Sequence, residues 1–189
     1  MMTDNEIIRL YLKTQDAEHF SQLYRKYSGK VFGKCISLLK EEAAAQDAMQ
    51  DIFMKIFLNL AGFSEKSQFS TWIYSITYNY CIDILRKGKK EKVLFSDEPE
   101  RAEKVADVDV EDSFLMEMEV TRLKKILENI PVGDKAILLM KYQDDMSIKD
   151  IADALDKTES AIKMKIKRAK HKAQEVYYEL FRERVASSR

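Results

Sequence analysis

The sequence predicts an all-α protein: two small helical domains joined by a flexible acidic linker. Three observations lead there. Apolar residues recur at helical spacing along most of the chain, and strand-like alternation is hard to find. Five Gly and two Pro in 189 residues leave few turn signals. Acidic residues gather in one block around 97–112 that holds Pro99 and almost no large apolar residue before Phe114, so this block cannot bury enough surface to fold alone. The domains are placed at 1–92 and 114–189, with 93–113 as the linker.

The first helical stretch runs from about Asp4 to Leu39. Ile7, Leu10 and Tyr11 lead into Phe20, Leu23, Tyr24 and Tyr27, then Val31, Cys35, Leu38 and Leu39. A second helix spans about Glu42 to Leu60, with Ala45, Met49, Ile52, Ile56 and Leu60 on one face. Asp47, Asp51 and Lys55 lie on another at i, i+4 and i+8, acid before base. Residues 61–68 read as a loop, with Gly62, Ser64 and Ser67 as breakers and cap candidates.

Next comes "FSTWIYSITYNYCIDILRKGKK". On an unbroken helix over 72–86, Ile73, Ile76, Tyr80 and Ile84 group together, and Tyr74, Tyr78, Cys81 and Leu85 adjoin them. Trp72 falls instead with Ser75, Asn79, Asp83 and Arg86. Beyond the linker, periodicity resumes at Phe114, Leu115, Met118, Leu123, Ile126 and Leu127, and Pro131 stops it. A short helix is expected at about 134–142.

The last two helices carry the most specific pattern, "SIKDIADALDKTESAIKMKIKRAKHKA". Ser147 and Asp150 approach a capping box. Ile148, Ile151, Ala152 and Leu155 give the first helix one apolar stripe. Asp156 stands where the turn needs a residue tolerant of positive φ. Thr158 caps the second helix, and Glu159 suits its first turn. Ile162, Ile166, Ala169 and Ala173 fall in one sector, extended by Val176, Tyr177 and Leu180. Ser160, Lys163, Met164, Lys167, Arg168 and His171 occupy the opposite side. A small Ala at the contact, a short turn and a basic second helix follow helix-turn-helix logic, which points to a helix that reads base edges and binds phosphates; the alternative is an ordinary solvated basic face on a core helix.

Net charge is zero, but it is a sum of opposed blocks. Residues 97–119 carry about −8 and residues 157–172 about +6. No apolar run approaches the roughly 18 residues of a membrane span, and MMTDNEII lacks the order of a signal peptide. Direct membrane insertion is not expected, and the location expected is cytoplasmic. Cys35 and Cys81 are isolated in apolar surroundings, which suggests buried free thiols in a reducing compartment. No zinc-ligand spacing, nucleophile–base pair or phosphate-cradling loop is found, so neither a metal nor another cofactor is expected and an enzyme is disfavoured.

Two separated motifs together resemble the extracytoplasmic-function (ECF) sigma factors of bacteria. "DAMQDIFMKIFLNLAGFSEKSQFSTWIYSITYNYCIDILRK", residues 47–87, resembles the family's region 2: an acid–Gln–acid helix, an F-x-T-W helix and a D-x-L-R end. Residues 147–173 resemble region 4. The resemblance covers about 10–90 and 115–180. It implies a protein that binds core RNA polymerase, reads and melts the −10 element through region 2, and binds the −35 element as duplex through region 4, without chemistry of its own.

By the same resemblance, Asp47, Gln50, Asp51 and Met54 match the polymerase-docking helix. Phe63 and Asn79 match a pocket for a flipped −10 base, where an aromatic stacks and an amide bonds a base edge. Phe63 also reads as a loop anchor. Trp72 is a candidate to stack at the edge of the opening duplex; the alternative is a core Trp bridging two helices. Asp83 shares its face. Arg86, Lys87, Lys89 and Lys90, with Lys66 in the loop, are candidate phosphate contacts. For the −35 element the candidates are Thr158, Ser160, Lys163, Met164, Lys165, Lys167, Arg168 and His171. The family often has Ser where this chain has Met164 and Arg where it has Lys165, which points to a different −35 sequence. Expected partners are core polymerase, promoter DNA and an anti-sigma factor. Two alternatives stay open: a DNA-binding regulator whose N-terminal helices dimerise or sense, and an inactive sigma-like adaptor.

Overall fold

A computed structural model describes residues 2–88 and 110–181. All regular structure among them is helical, and the chain divides into two compact units, one on either side of residues 90 and 91. Lys89, Lys90 and most of the acidic block lie outside the described residues.

The first unit holds α1 (Asp4–Thr14), α2 (Ala17–Leu39), α3 (Glu42–Asn59) and α4 (Phe69–Gly88). The stretch expected as one helix from Asp4 to Leu39 is two. Gln15 is left-handed (φ 57°) and its N–H bonds the Tyr11 carbonyl at 2.8 Å, while Asp16 accepts from the Glu18 N–H at 2.9 Å and starts α2. An N-capping side chain competes with the helix for local backbone groups, so "TQDAE" breaks a pattern whose apolar phase continues across it. Thr3 and Glu6 form a capping box at the start of α1.

Helix α2 packs against α1, α3 and α4. Leu23, Val31, Cys35 and Leu38 meet Ala45, Ile52 and Ile56 of α3 and Ile73, Tyr78 and Cys81 of α4 in the core, all nearly or wholly out of solvent. A single 3₁₀ turn, Leu60–Gly62, closes α3. Helix α4 is unbroken, so the phase read from its sequence holds through Asn79.

The second unit contains α5 (Ser113–Met116), α6 (Val120–Asn129), α7 (Val132–Leu138), a π-helical turn (Leu139–Gln143), α8 (Ile148–Leu155) and α9 (Glu159–Phe181). Pro131 ends α6, and its carbonyl accepts from the Asp134 and Lys135 N–H groups at 3.0 and 2.9 Å, opening α7. The last residues of the acid-rich stretch are not tether. Val110 is buried, and Asp112 accepts from Lys170 Nζ at 2.8 Å and from Tyr142 Oη at 2.7 Å. Residues 110–113 therefore belong to the second unit, where the sequence places linker.

Candidate nucleic-acid interface

The α8–turn–α9 geometry follows its sequence. Ser147 Oγ accepts from the Asp150 N–H at 3.0 Å, and the Asp150 carboxylate takes the Ser147 hydroxyl at 2.6 Å and its N–H at 3.2 Å. Asp156 is left-handed (φ 53°). Thr158 Oγ1 accepts from the Ala161 N–H at 3.2 Å and opens α9. Ile162, Ile166, Ala169, Ala173 and Val176 are buried.

This packing presents Thr158, Ser160, Lys163, Met164 and Arg168 to solvent, with Lys167 half-buried beside them. It does not present every candidate. Lys165 turns toward the unit's interior, 2.7 Å from the largely buried Asp134 carboxylate. His171 sits 3.2 Å from Glu175, which also holds Lys172 at 2.9 Å. Lys170 is buried against Asp112, whose carboxyl the Lys170 and Tyr142 hydrogen bonds hold below the usual carboxylate range. The solvent-facing positive charge is thus concentrated on the N-terminal half of α9, the part of a recognition helix that meets base edges.

In the first unit, α4 carries Asn79, Asp83, Arg86 and Lys87 on its exposed side. Arg86 lies 3.6 Å from Asp83. Trp72 is on the same side, half-buried, its ring stacked on Phe69 (5.7 Å between centroids, 26°) and tilted against Phe63 (5.5 Å). Trp72 and Asn79 are about 10 Å apart along the helix axis, two turns. Phe63 is buried and edge-on to Phe69 (5.2 Å), so it anchors the loop on the core and holds Trp72. The loop itself is fixed to α1. Glu65, left-handed at φ 56°, accepts from Arg9 Nε at 2.9 Å, from Arg9 Nη2 at 2.5 Å and from Asn5 Nδ2 at 3.2 Å. Hydrogen bonds from Arg9 hold the Glu65 carboxyl below its ordinary range. Lys66 follows, exposed.

Asp47, Gln50, Asp51 and Met54 are all exposed on α3. Asp51 accepts from Tyr80 Oη, and this hydrogen bond, with burial, pushes the Tyr80 hydroxyl up to about 12. Lys55 lies over the same ring, 4.9 Å from its centroid. The Asp–Asp–Lys row of the sequence thus finds a partner in α4. Sequence reasoning missed Phe57 and Leu58, which extend the exposed apolar patch beside Met54; Leu58 is 70% exposed. The signal was present: "IFMKIFLNL" holds more apolar residues than one helix face can bury, and Ile52, Phe53, Ile56 and Leu60 fill the core.

A family model of sigma-70 region 2 matches residues 23–91, and one of sigma-70 region 4 matches residues 121–172. The chain is 28% identical to the ECF RNA polymerase sigma factor SigW of Bacillus subtilis, over 84% of this chain and 89% of that one. The chain belongs to the ECF sigma factors. It is an alternative sigma factor, and such a factor directs promoter-specific transcription initiation. The fold of this sigma factor is shared with CnrH in complex with the cytosolic domain of CnrY (TM-score 0.61, 18% identity, 92% of this chain and 96% of that one). It is shared too with the sigma factor RpoE in complex with the anti-sigma factor NepR from Bartonella quintana (TM-score 0.59, 20% identity, 90% and 98%). No described helix is long and apolar enough to cross a membrane.

Proposed function

We propose that three surfaces of this sigma factor divide the work of initiation. The exposed α3 face of Asp47, Gln50, Asp51 and Met54, widened by Phe57 and Leu58, docks on core RNA polymerase. The α4 face receives the separated −10 strand, with Trp72 stacking, Asn79 bonding a base edge, and Arg86, Lys87 and Lys66 holding phosphates. Asp83 orients Arg86. Lys89 and Lys90 extend this basic end in sequence. The exposed N-terminal half of α9 enters the major groove at −35, with Lys163, Lys167 and Arg168 on phosphates or base edges and Met164 against a thymine methyl.

The observation that carries the reading is the seating of Trp72. It is braced by Phe63 and Phe69 yet stands on the polar side of α4 with Asn79 and Arg86. A rigid, half-exposed ring two turns from an exposed amide suits a stacking platform. The polymerase supplies the chemistry, and the sigma factor acts in the cytoplasm without catalysis of its own. A regulator of the anti-sigma class covers one or more of these surfaces until it is released, as the complexes of structural relatives suggest.

The test is reconstitution. With purified core polymerase, the protein forms a complex that starts transcription at a discrete set of sites on genomic DNA, and core alone does not. Failure to bind core would sink the reading. Mapping the starts also gives the promoter sequence.

A further inference from the structure

Cys35 of α2 and Cys81 of α4 face each other in the core of the first unit, with sulfurs 3.7 Å apart and both residues wholly out of solvent. They are the two cysteines of the chain, and both are free. None of the three proposed surfaces uses them. Each is a small apolar filler by position, but they stand 46 residues apart in sequence on different helices and meet sulfur to sulfur.

We infer that Cys35 and Cys81 form an oxidisable dithiol, a modification site at which a hydroperoxide converts the pair into a disulfide between α2 and α4. The Cys81 S–H donates to Cys35 Sγ, which favours the Cys35 thiolate and holds the proton on Cys81. Cys35 thiolate attacks one peroxide oxygen and breaks the O–O bond, becoming a sulfenic acid; the expelled hydroxide or alkoxide takes up the proton that Cys35 gave up and leaves as water or alcohol. Cys81 sulfur then attacks the sulfenic sulfur and expels its hydroxyl, which takes the Cys81 proton and leaves as water. The two thiols lose two electrons and two protons, and the peroxide gains them. Joining the sulfurs requires closing 3.7 Å to about 2.0 Å, within reach of small shifts of side chain and helix.

Burial sets the rate. Peroxide reaches the sulfurs only when α2 and α4 part locally, so the first step is slow compared with an exposed low-pKa thiol. The second step is fast, because its partner is already in contact. The pair therefore passes to the disulfide instead of stalling at a singly oxidised sulfur.

The experiment uses the reduced full-length protein and hydrogen peroxide, at a temperature where far-UV circular dichroism shows the native fold retained. Remaining thiols are alkylated after quenching and denaturation, and the chain is weighed intact and as a peptide map. The expected result is joint loss of both thiols, a mass lower by two hydrogens, a Cys35–Cys81 linked peptide in a monomeric chain, and full recovery with dithiothreitol. Thiols that stay alkylatable while glutathione in the same tube is consumed would overturn the inference. So would sulfinic acid on either cysteine as the main product, or a disulfide formed between chains.

Discussion

Lys165 and Lys167 are two residues apart on α9, and they face different surroundings. Lys165 pairs with Asp134, whose side chain is 10% exposed, so truncating it leaves a largely buried carboxylate without that partner. Lys165→Ala is expected to destabilise the second unit by about 1–3 kcal/mol, read as a lower denaturation midpoint. Lys167→Ala and Arg168→Ala act on DNA instead. Each weakens −35 duplex binding and lowers the slope of log affinity against log salt by about one. Titrations at several salt concentrations measure this; an unchanged slope would remove the residue from the phosphate contacts. Helical phase already set these lysines about 160° apart, Lys167 with the basic face and Lys165 beside the apolar sector. It could not name the partner that claims Lys165, which lies about thirty positions away on another helix. Trp72 was more legible, because its phase on α4 sets it apart from the aliphatic residues. The rings that brace it come from the loop and from α4's own first residue.

At the scale of elements, local chemistry was most readable where a side chain meets its own backbone. Ser147, Asp150, Asp156 and Thr158 each take the cap or turn role their residue types suggest. Ser147→Ala is expected to cost about 1 kcal/mol, a fall of about 4–8 °C in the second unit's midpoint. Thermal scans followed by circular dichroism check this, and an unshifted midpoint would mean that the box contributes little. Breaks between helices were harder to read. The apolar phase of α1 runs on into α2, so the Gln15–Asp16 cap is hidden beneath a continuous pattern. Likewise, Asp112 reads as one more acid of a solvated block, yet it joins α5 to α9 through Lys170. Its folded carboxyl lies below the usual range, so its contribution is present above the unfolded aspartate pKa and is lost as pH falls through the folded one. Asp112→Asn is therefore expected to reduce stability at neutral pH and to make little difference in acid. Its side chain is 56% exposed, so the gap stays at about 1 kcal/mol or less. A gap that does not change with pH would contradict the pairing.

For the whole molecule, the order of parts was readable: a helical unit with an aromatic, basic-ended helix, an acid-rich stretch, then a helix-turn-helix. The charge blocks and the two motifs carried that much. The extent of the proposed docking face was not readable, because periodicity says which residues a helix can bury but not which apolar residues are surplus to the core. Phe57 and Leu58 emerged only once Ile52, Phe53 and Ile56 had filled it. The central claim is a division of labour, with strand separation on α4 and duplex binding on α9. The most direct test compares Asn79→Ala and Trp72→Ala with the native protein in two assays. Permanganate reactivity of −10 thymines in the holoenzyme reports opening, and affinity for −35 duplex reports docking. Asn79→Ala is the cleaner variant, since Trp72 also packs on Phe63 and Phe69. The account predicts opening reduced by an order of magnitude or more in both variants (about 1.4 kcal/mol per tenfold) with duplex affinity unchanged. Equal losses in the two assays, or full opening without Asn79, would contradict it.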